Sequence, residues 1–114
     1  AFTLCESIQE LALPDSVTEI KERTFAGCKG LRKIKLPDSL QTIEKYAFAR
    51  CLSLGEISLP ASMQRIGVQA FIGCTSLRLV TLPPKVKIEN NAFDLCKDVV
   101  IQEIQITSDP YSSY

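Results

Sequence analysis

One skeleton of residues recurs every 23 positions along this chain, and that recurrence limits the fold more than any other feature. Ile34 to Cys51 reads I-K-L-P-D-S-L-Q-T-I-E-K-Y-A-F-A-R-C. Shifted by 23 residues in either direction, Leu11 to Cys28 and Ile57 to Cys74 show the same frame. A fourth copy, Val80 to Cys96, lacks one residue. A coil this short cannot bury its own apolar side. Stacked coils bury one another's, which is the logic of a solenoid. About three coils are needed for such a stack to be stable. The sequence supplies about four and a half over residues 1–106.

Within a copy, the spacing predicts the local structure. Three, six and eight residues after each cysteine stand aliphatic side chains, such as Leu31, Ile34 and Leu36, or Leu54, Ile57 and Leu59. The last part of that pattern alternates with period two and reads as a short strand. Pro14, Pro37, Pro60 and Pro83 follow, and proline, lacking an N–H, ends the strand and opens a turn. A second apolar pair, for example Leu40 and Ile43, reads as a second short extended segment. Phe25, Phe48, Phe71 and Phe93 come next, each three residues before a cysteine. That spacing predicts a single helical turn with both side chains inward. Gly27 and Gly73 sit just before their cysteines, where a turn calls for positive φ.

The five cysteines, Cys5, Cys28, Cys51, Cys74 and Cys96, are spaced 23, 23, 23 and 22 residues apart. They fill one structural position repeatedly, and are expected to be stacked, buried, reduced thiols acting as small hydrophobes. Disulfides between neighbouring coils are geometrically conceivable. A linear ladder of sulfurs does not converge on a zinc ion.

Composition removes several functions. There is no histidine, the commonest general base and catalytic metal ligand, and no glycine-rich phosphate loop. No catalytic residue, metal or cofactor is expected, and the chain is not expected to be an enzyme. Thirteen basic and thirteen acidic side chains cancel, which argues against a nucleic-acid partner. No apolar run is long enough to cross a bilayer.

At these residues the chain resembles the BspA-type leucine-rich repeats, also called the Treponema pallidum type, whose pattern is LxxIxLPxSxxxIxxxAFxxC. The resemblance covers Ala1 to about Ile106, through the Leu-Pro pairs, the Phe column and the cysteines. Departures are Thr24 in place of alanine, the shortened fourth copy and an incomplete last one. The resemblance implies a right-handed, β-rich solenoid with a parallel sheet along one face and short strands and single-turn helices completing each coil. It further implies non-catalytic protein binding, often at microbial cell surfaces, as adhesins or host-contact proteins. The odd number of regularly spaced thiols suits a reducing compartment equally well, so localisation stays open.

Function belongs to what varies between copies. Gln9, Arg32, Gly55 and Arg78 form one outward ladder on the first strand, and Glu10, Lys33, Glu56 and Leu79 the next. Ala12, Lys35, Ser58 and Thr81 form a third. Glu10, Lys33 and Glu56 are expected to stack as alternating charges on adjacent strands. Residues 21–50 carry eight basic side chains against three acidic ones, and Arg32, Lys33 and Lys35 share one strand. The expected partner-binding residues are Gln9, Arg32, Lys33, Lys35, Glu56, Arg78 and Leu79. The expected role is a protein-interaction module, and the alternative is a structural or linker subunit in a large assembly.

The chain begins inside a copy, since Ala1-Phe2 aligns with Ala47-Phe48, so end-on stacking with further repeats or another subunit is also expected. Val99 to Ile106 reads as a degenerate capping strand, with Gln102 where other copies have an inward aliphatic. Residues 107–114 read as an extended tail.

Overall fold

The computed structural model of the protein describes residues 8–97 and 99–103. The expectations for Cys5, for the strand beyond Glu103 and for the tail lie outside the described residues. Successive coils stack as a solenoid with three faces. On the first face lie β1 (Glu10–Ala12), β3 (Lys33–Lys35), β5 (Glu56–Ser58), β7 (Leu79–Leu82) and β9 (Val100–Glu103). On the second lie β2 (Glu19–Ile20), β4 (Thr42–Ile43), β6 (Arg65–Ile66) and β8 (Lys87–Ile88). All pairings are parallel, and equivalent residues of successive copies meet in register, as Leu11 with Ile34 and Ile57 with Val80.

Between the two strands of a coil, the proline turns form as read. The N–H groups of Val17, Leu40 and Met63 donate to the carbonyls of Pro14, Pro37 and Pro60. The fourth copy absorbs its missing residue at Lys85, whose φ is +69°. This keeps Ile88 in register with Ile66.

The third face differs from expectation, because the described residues contain no helix. In its place each coil runs a chain of tight turns. In the second coil, Ala47, Ala49 and Cys51 donate to the carbonyls three residues back, Glu44, Tyr46 and Phe48. The third residue of the first and last of these turns is left-handed: Tyr46 at +59° and Arg50 at +59°. Type II turns demand positive φ there, and a right-handed helix cannot continue through it. The alternate N–H groups are released to the next coil. Phe48 donates to Ala70 at 2.7 Å and Arg50 to Ile72 at 2.7 Å. The third face is therefore a hydrogen-bonded ladder in its own right. Gly27 and Gly73 have φ of +77° and +75°, as their placement before cysteine anticipated, while Arg50 and Leu95 hold the same position without glycine's freedom.

The interior is made of the repeated residues. Leu31, Leu54, Leu77, Ile43, Ile66, Phe25, Phe48 and Phe71 are fully buried, the equivalents at the ends of the stack, Ile8, Ile88 and Phe93, are less so, and no polar or charged residue is buried among the described ones. The phenylalanines stack face to face, with centroids 5.3, 5.0 and 5.2 Å apart from Phe25 to Phe93. Each such ring contributes several kcal/mol of burial (~3–5 when truncated to alanine). Thr24, standing where other coils have a buried alanine, satisfies its hydroxyl by donating to the Lys21 carbonyl at 2.8 Å.

The parallel pairing on the first face falls into two segments, and one expectation, the placement of Gln102, is corrected. The first-face sheet is not continuous. β1 pairs with β3, β5 with β7 and β7 with β9, but β3 and β5 do not pair. Gln102 does not replace an inward aliphatic. β9 is set one residue short, so Ile101 meets Val80 and Gln102 meets the outward Thr81.

Candidate functional site

The first face presents the residues that differ from coil to coil. Gln9, Arg32, Lys33, Lys35, Glu56 and Arg78 are all exposed, and Leu79 is half-buried on β7. Lys33, Lys35, Glu56 and Leu79 alternate along the strands with Ile34, Ile57 and Val80, which are held in the core, whereas Gln9, Arg32 and Arg78 stand just before the strands. The expected charge ladder does not form ion pairs. Glu10 faces Lys33 in register, yet the ion pairs among the described residues are Arg65–Glu44 at 2.9 Å and Lys87–Glu89 at 3.5 Å. The break between β3 and β5 removes the strand hydrogen bonding that would fix Lys33 in register with Glu56, although both residues line the same hollows. Arg32, Lys33, Lys35 and Arg78 thus keep their charges unpaired within the described chain.

Two hollows open on this face, and they share Lys33 and Glu56. The first is a groove of about 770 Å³ along the break. Its charged rim is Lys33, Lys35, Glu10, Glu56 and Asp38, and core side chains show at its floor, among them Ile34 and Leu36. The second is a shallow cup of about 510 Å³ around Gly55. Arg32 and Arg78 flank it, with Ser53, Thr75 and Ser76 along one side. No atom lies within 4 Å of where a Gly55 side chain would begin.

This arrangement redistributes the expected site. Arg32, Lys33 and Lys35 are neighbours on one strand but not one patch. Arg32 joins Arg78 across Gly55, whereas Lys35 sits among carboxylates in the groove. Gln9 and Leu79 line neither hollow. The carbonyl of Gln9 instead accepts from the N–H groups of Arg32 and Lys33 at 2.8 and 3.1 Å. Ser53, Thr75, Ser76 and Asp38, which also line these hollows, are not among the expected partner-binding residues. The serines recur two residues after successive cysteines, which is the signal that could have placed them beside the Arg32–Arg78 ladder.

The cysteines are not a reactive site. The thiols of Cys51, Cys74 and Cys96 donate to the carbonyls of Phe25, Phe48 and Phe71, in the preceding coil, at 3.2, 3.1 and 3.1 Å. Cys28, Cys51, Cys74 and Cys96 are buried and free of disulfides. The Cys51 thiol beside it, and then burial, push Cys74 up to about 12, while the Cys96 thiol pulls the other way. Cys96 is raised as well, by Cys74 and by burial. Such thiols stay protonated at neutral pH and are poor nucleophiles.

Known proteins place this geometry in context. The model for the BspA type leucine rich repeat region, in six copies, matches residues 1–112. Among solved structures, a leucine rich repeat protein of T. pallidum is 40% identical with a TM-score of 0.81. That match covers 85% of this chain and 46% of the other, so this chain spans under half of that protein. The pneumococcal vaccine antigen PcpA is 25% identical with a TM-score of 0.67, over 85% of this chain and 31% of its own. A leucine rich cell surface protein of Faecalibacterium prausnitzii shares the fold at 22% identity and a TM-score of 0.62, over 88% and 42% of the two chains. No curated protein matches.

Proposed function

Since the chain belongs to the BspA-type leucine-rich repeat family, we propose that it is a non-catalytic protein-interaction module that engages its partner through the first face. One observation carries the reading. The interior positions keep their apolar character from coil to coil, while the exposed ladder changes at every step, from Gln9 to Arg32 to Gly55 to Arg78. A surface kept only for solubility has no need of unpaired cations set around two adjoining hollows. Exposed charges without intramolecular partners are free to steer and orient a complementary protein.

The reading is tested with a photo-reactive side chain placed at Lys35 on the first face or at Glu22 on the third. Discrete adducts to a partner from position 35, lost on Lys33→Glu reversal, are the expected result. Equal adducts from both positions, or adducts from position 22 alone, would overturn it.

A further inference from the structure

The two hollows differ in charge, and their difference specifies a ligand. In the cup, three cations, Arg32, Lys33 and Arg78, stand against the one carboxylate of Glu56. In the groove, Lys33 and Lys35 stand against three carboxylates, Glu10, Asp38 and Glu56. The first face is therefore dipolar, positive at the cup and negative at the groove, with Lys33 and Glu56 on the boundary.

We infer that the cup is a carboxylate-binding site for a peptide segment whose acidic end seats over Gly55 and whose basic end lies in the groove. The inference rests on the protein-interaction reading above and names the chemistry of the partner. Arg32 and Arg78 lie two coils apart, roughly 10 Å at the usual strand spacing, within which two arginine side chains converge on one group. Gly55 stands between them with open space above it, so nothing blocks the approach. A guanidinium presents a planar fork that fits a carboxylate with two parallel N–H···O bonds. The hydroxyls of Ser53 and Ser76 offer further donors on the same side. Neither arginine is engaged by an acidic side chain among the described residues.

The charge pattern selects among anions. A uniform polyanion such as a nucleic acid or a heavily sulfated glycan would extend past the cup into the groove, where carboxylates predominate and repel it. A mixed-charge peptide gains at both ends. A six-residue extended segment reaches about 20 Å, enough to span both hollows, which share two lining residues.

The experiment uses the full chain and a fluorescein-labelled peptide, Glu-Glu-Gly-Gly-Lys-Lys, read by anisotropy at low salt. This peptide is expected to bind more tightly than hexaglutamate, and Arg32→Ala with Arg78→Ala to weaken it about tenfold or more. Gly55→Leu leaves every charge in place and fills the cup from a position where the first side-chain carbon meets no atom within 4 Å. It is expected to weaken binding by a similar factor, while Lys21→Ala on the exposed far side changes nothing. Unchanged binding by Gly55→Leu, an equal loss from Lys21→Ala, or tighter binding of hexaglutamate or a heparin tetrasaccharide would each overturn the proposal. Peptide binding without partner adducts at position 35 would leave the cup standing and remove the wider reading. Adducts at position 35 without peptide binding would do the reverse.

Discussion

At the junction between the second and third coils, the first face and the other two behave in opposite ways. On the second face the ladder is unbroken: Gln64 donates to Gln41 and Gly67 to Ile43, both at 2.7 Å. On the third face Phe48 donates to Ala70 at 2.7 Å. There the Phe48 and Phe71 rings stack at 5.0 Å, 2° from parallel, the closest such pair among the described residues. On the first face the same junction opens. The Gly55 to Arg32 bond stretches to 3.4 Å, against 2.8 Å for its equivalents from Arg32 to Gln9 and from Arg78 to Gly55. Leu13 and Leu59 each donate to the next coil, and the bond expected from Leu36 is missing among the described residues. Coil spacing is thus set from behind by aromatic stacking and two hydrogen-bonded ladders. The first face can give up its own pairing, and the hollows lie where it does.

The strongest way to break this contrast is to remove the support behind the junction. Phe48→Ala deletes a fully buried ring stacked on both sides, and is expected to cost about 3–5 kcal/mol in chemical denaturation. Gly67→Ala attacks the second face. A methyl there would meet the Lys45 backbone nitrogen at 2.7 Å and the Glu44 carbonyl carbon at 2.8 Å. Forcing those strands apart should cost about 1–3 kcal/mol. The same substitution at Gly55, on the opened face, meets nothing within 4 Å, and should stay within about 0.5 kcal/mol of the parent. Equal losses at Gly67 and Gly55 would show that the two faces carry the junction alike.

Much of this was legible in the sequence, and the reasons are specific. Apolar periodicity placed Leu31, Ile34, Leu36, Ile43 and Phe48 inside because burial is a property each residue type carries with it. Register followed, since one 23-residue copy can face the next in only one way without turning its interior out. The third face was misread as helical because a Phe three residues before a Cys suits a helical turn and a pair of tight turns equally. The deciding fact, left-handed backbone at Tyr46 and Arg50, leaves no mark when the residue is not glycine. The break between β3 and β5 is a matter of a few tenths of an ångström in hydrogen bonds and has no residue signature. Hence Arg32 and Lys35 read as sharing one strand although they line different hollows.

The buried thiols sharpen the contrast through pH. Their bonds to phenylalanine carbonyls tie coils together from inside, and only the protonated thiol can donate. Cys74 is held at about 12 in the folded chain against an ordinary 9.0. Below pH 9 both states keep the proton, and its stabilisation is fully present. As the pH rises towards 12 the unfolded thiol ionises first, so stability falls across that window. Denaturation of the parent and of Cys74→Ala between pH 8 and 11 should give a steeper decline in the parent, by about 1 kcal/mol or more. Parallel declines would show that the Cys74 thiol does not contribute to the slope.

A smaller gain than these losses is expected at Arg50, and it asks whether the third face is strained by holding the junction closed. Gly27, Arg50, Gly73 and Leu95 occupy one repeat position, each with φ between +59° and +77°. A side chain in that region costs roughly 1–2 kcal/mol, while a glycine there gives back about 0.5–1 kcal/mol through the freedom of its unfolded chain. Arg50→Gly should therefore raise stability by about 0.5–1 kcal/mol, the difference between those two terms. The reverse exchange, Gly73→Ala, should lose more than a methyl's worth, because its Cβ would stand 3.2 Å from Arg50 Cγ in addition to taking positive φ. A gain at Arg50 together with unchanged peptide binding would show that the back of the junction can relax without closing the hollows in front. A gain accompanied by lost binding would show that backbone strain at Arg50 holds the first face open.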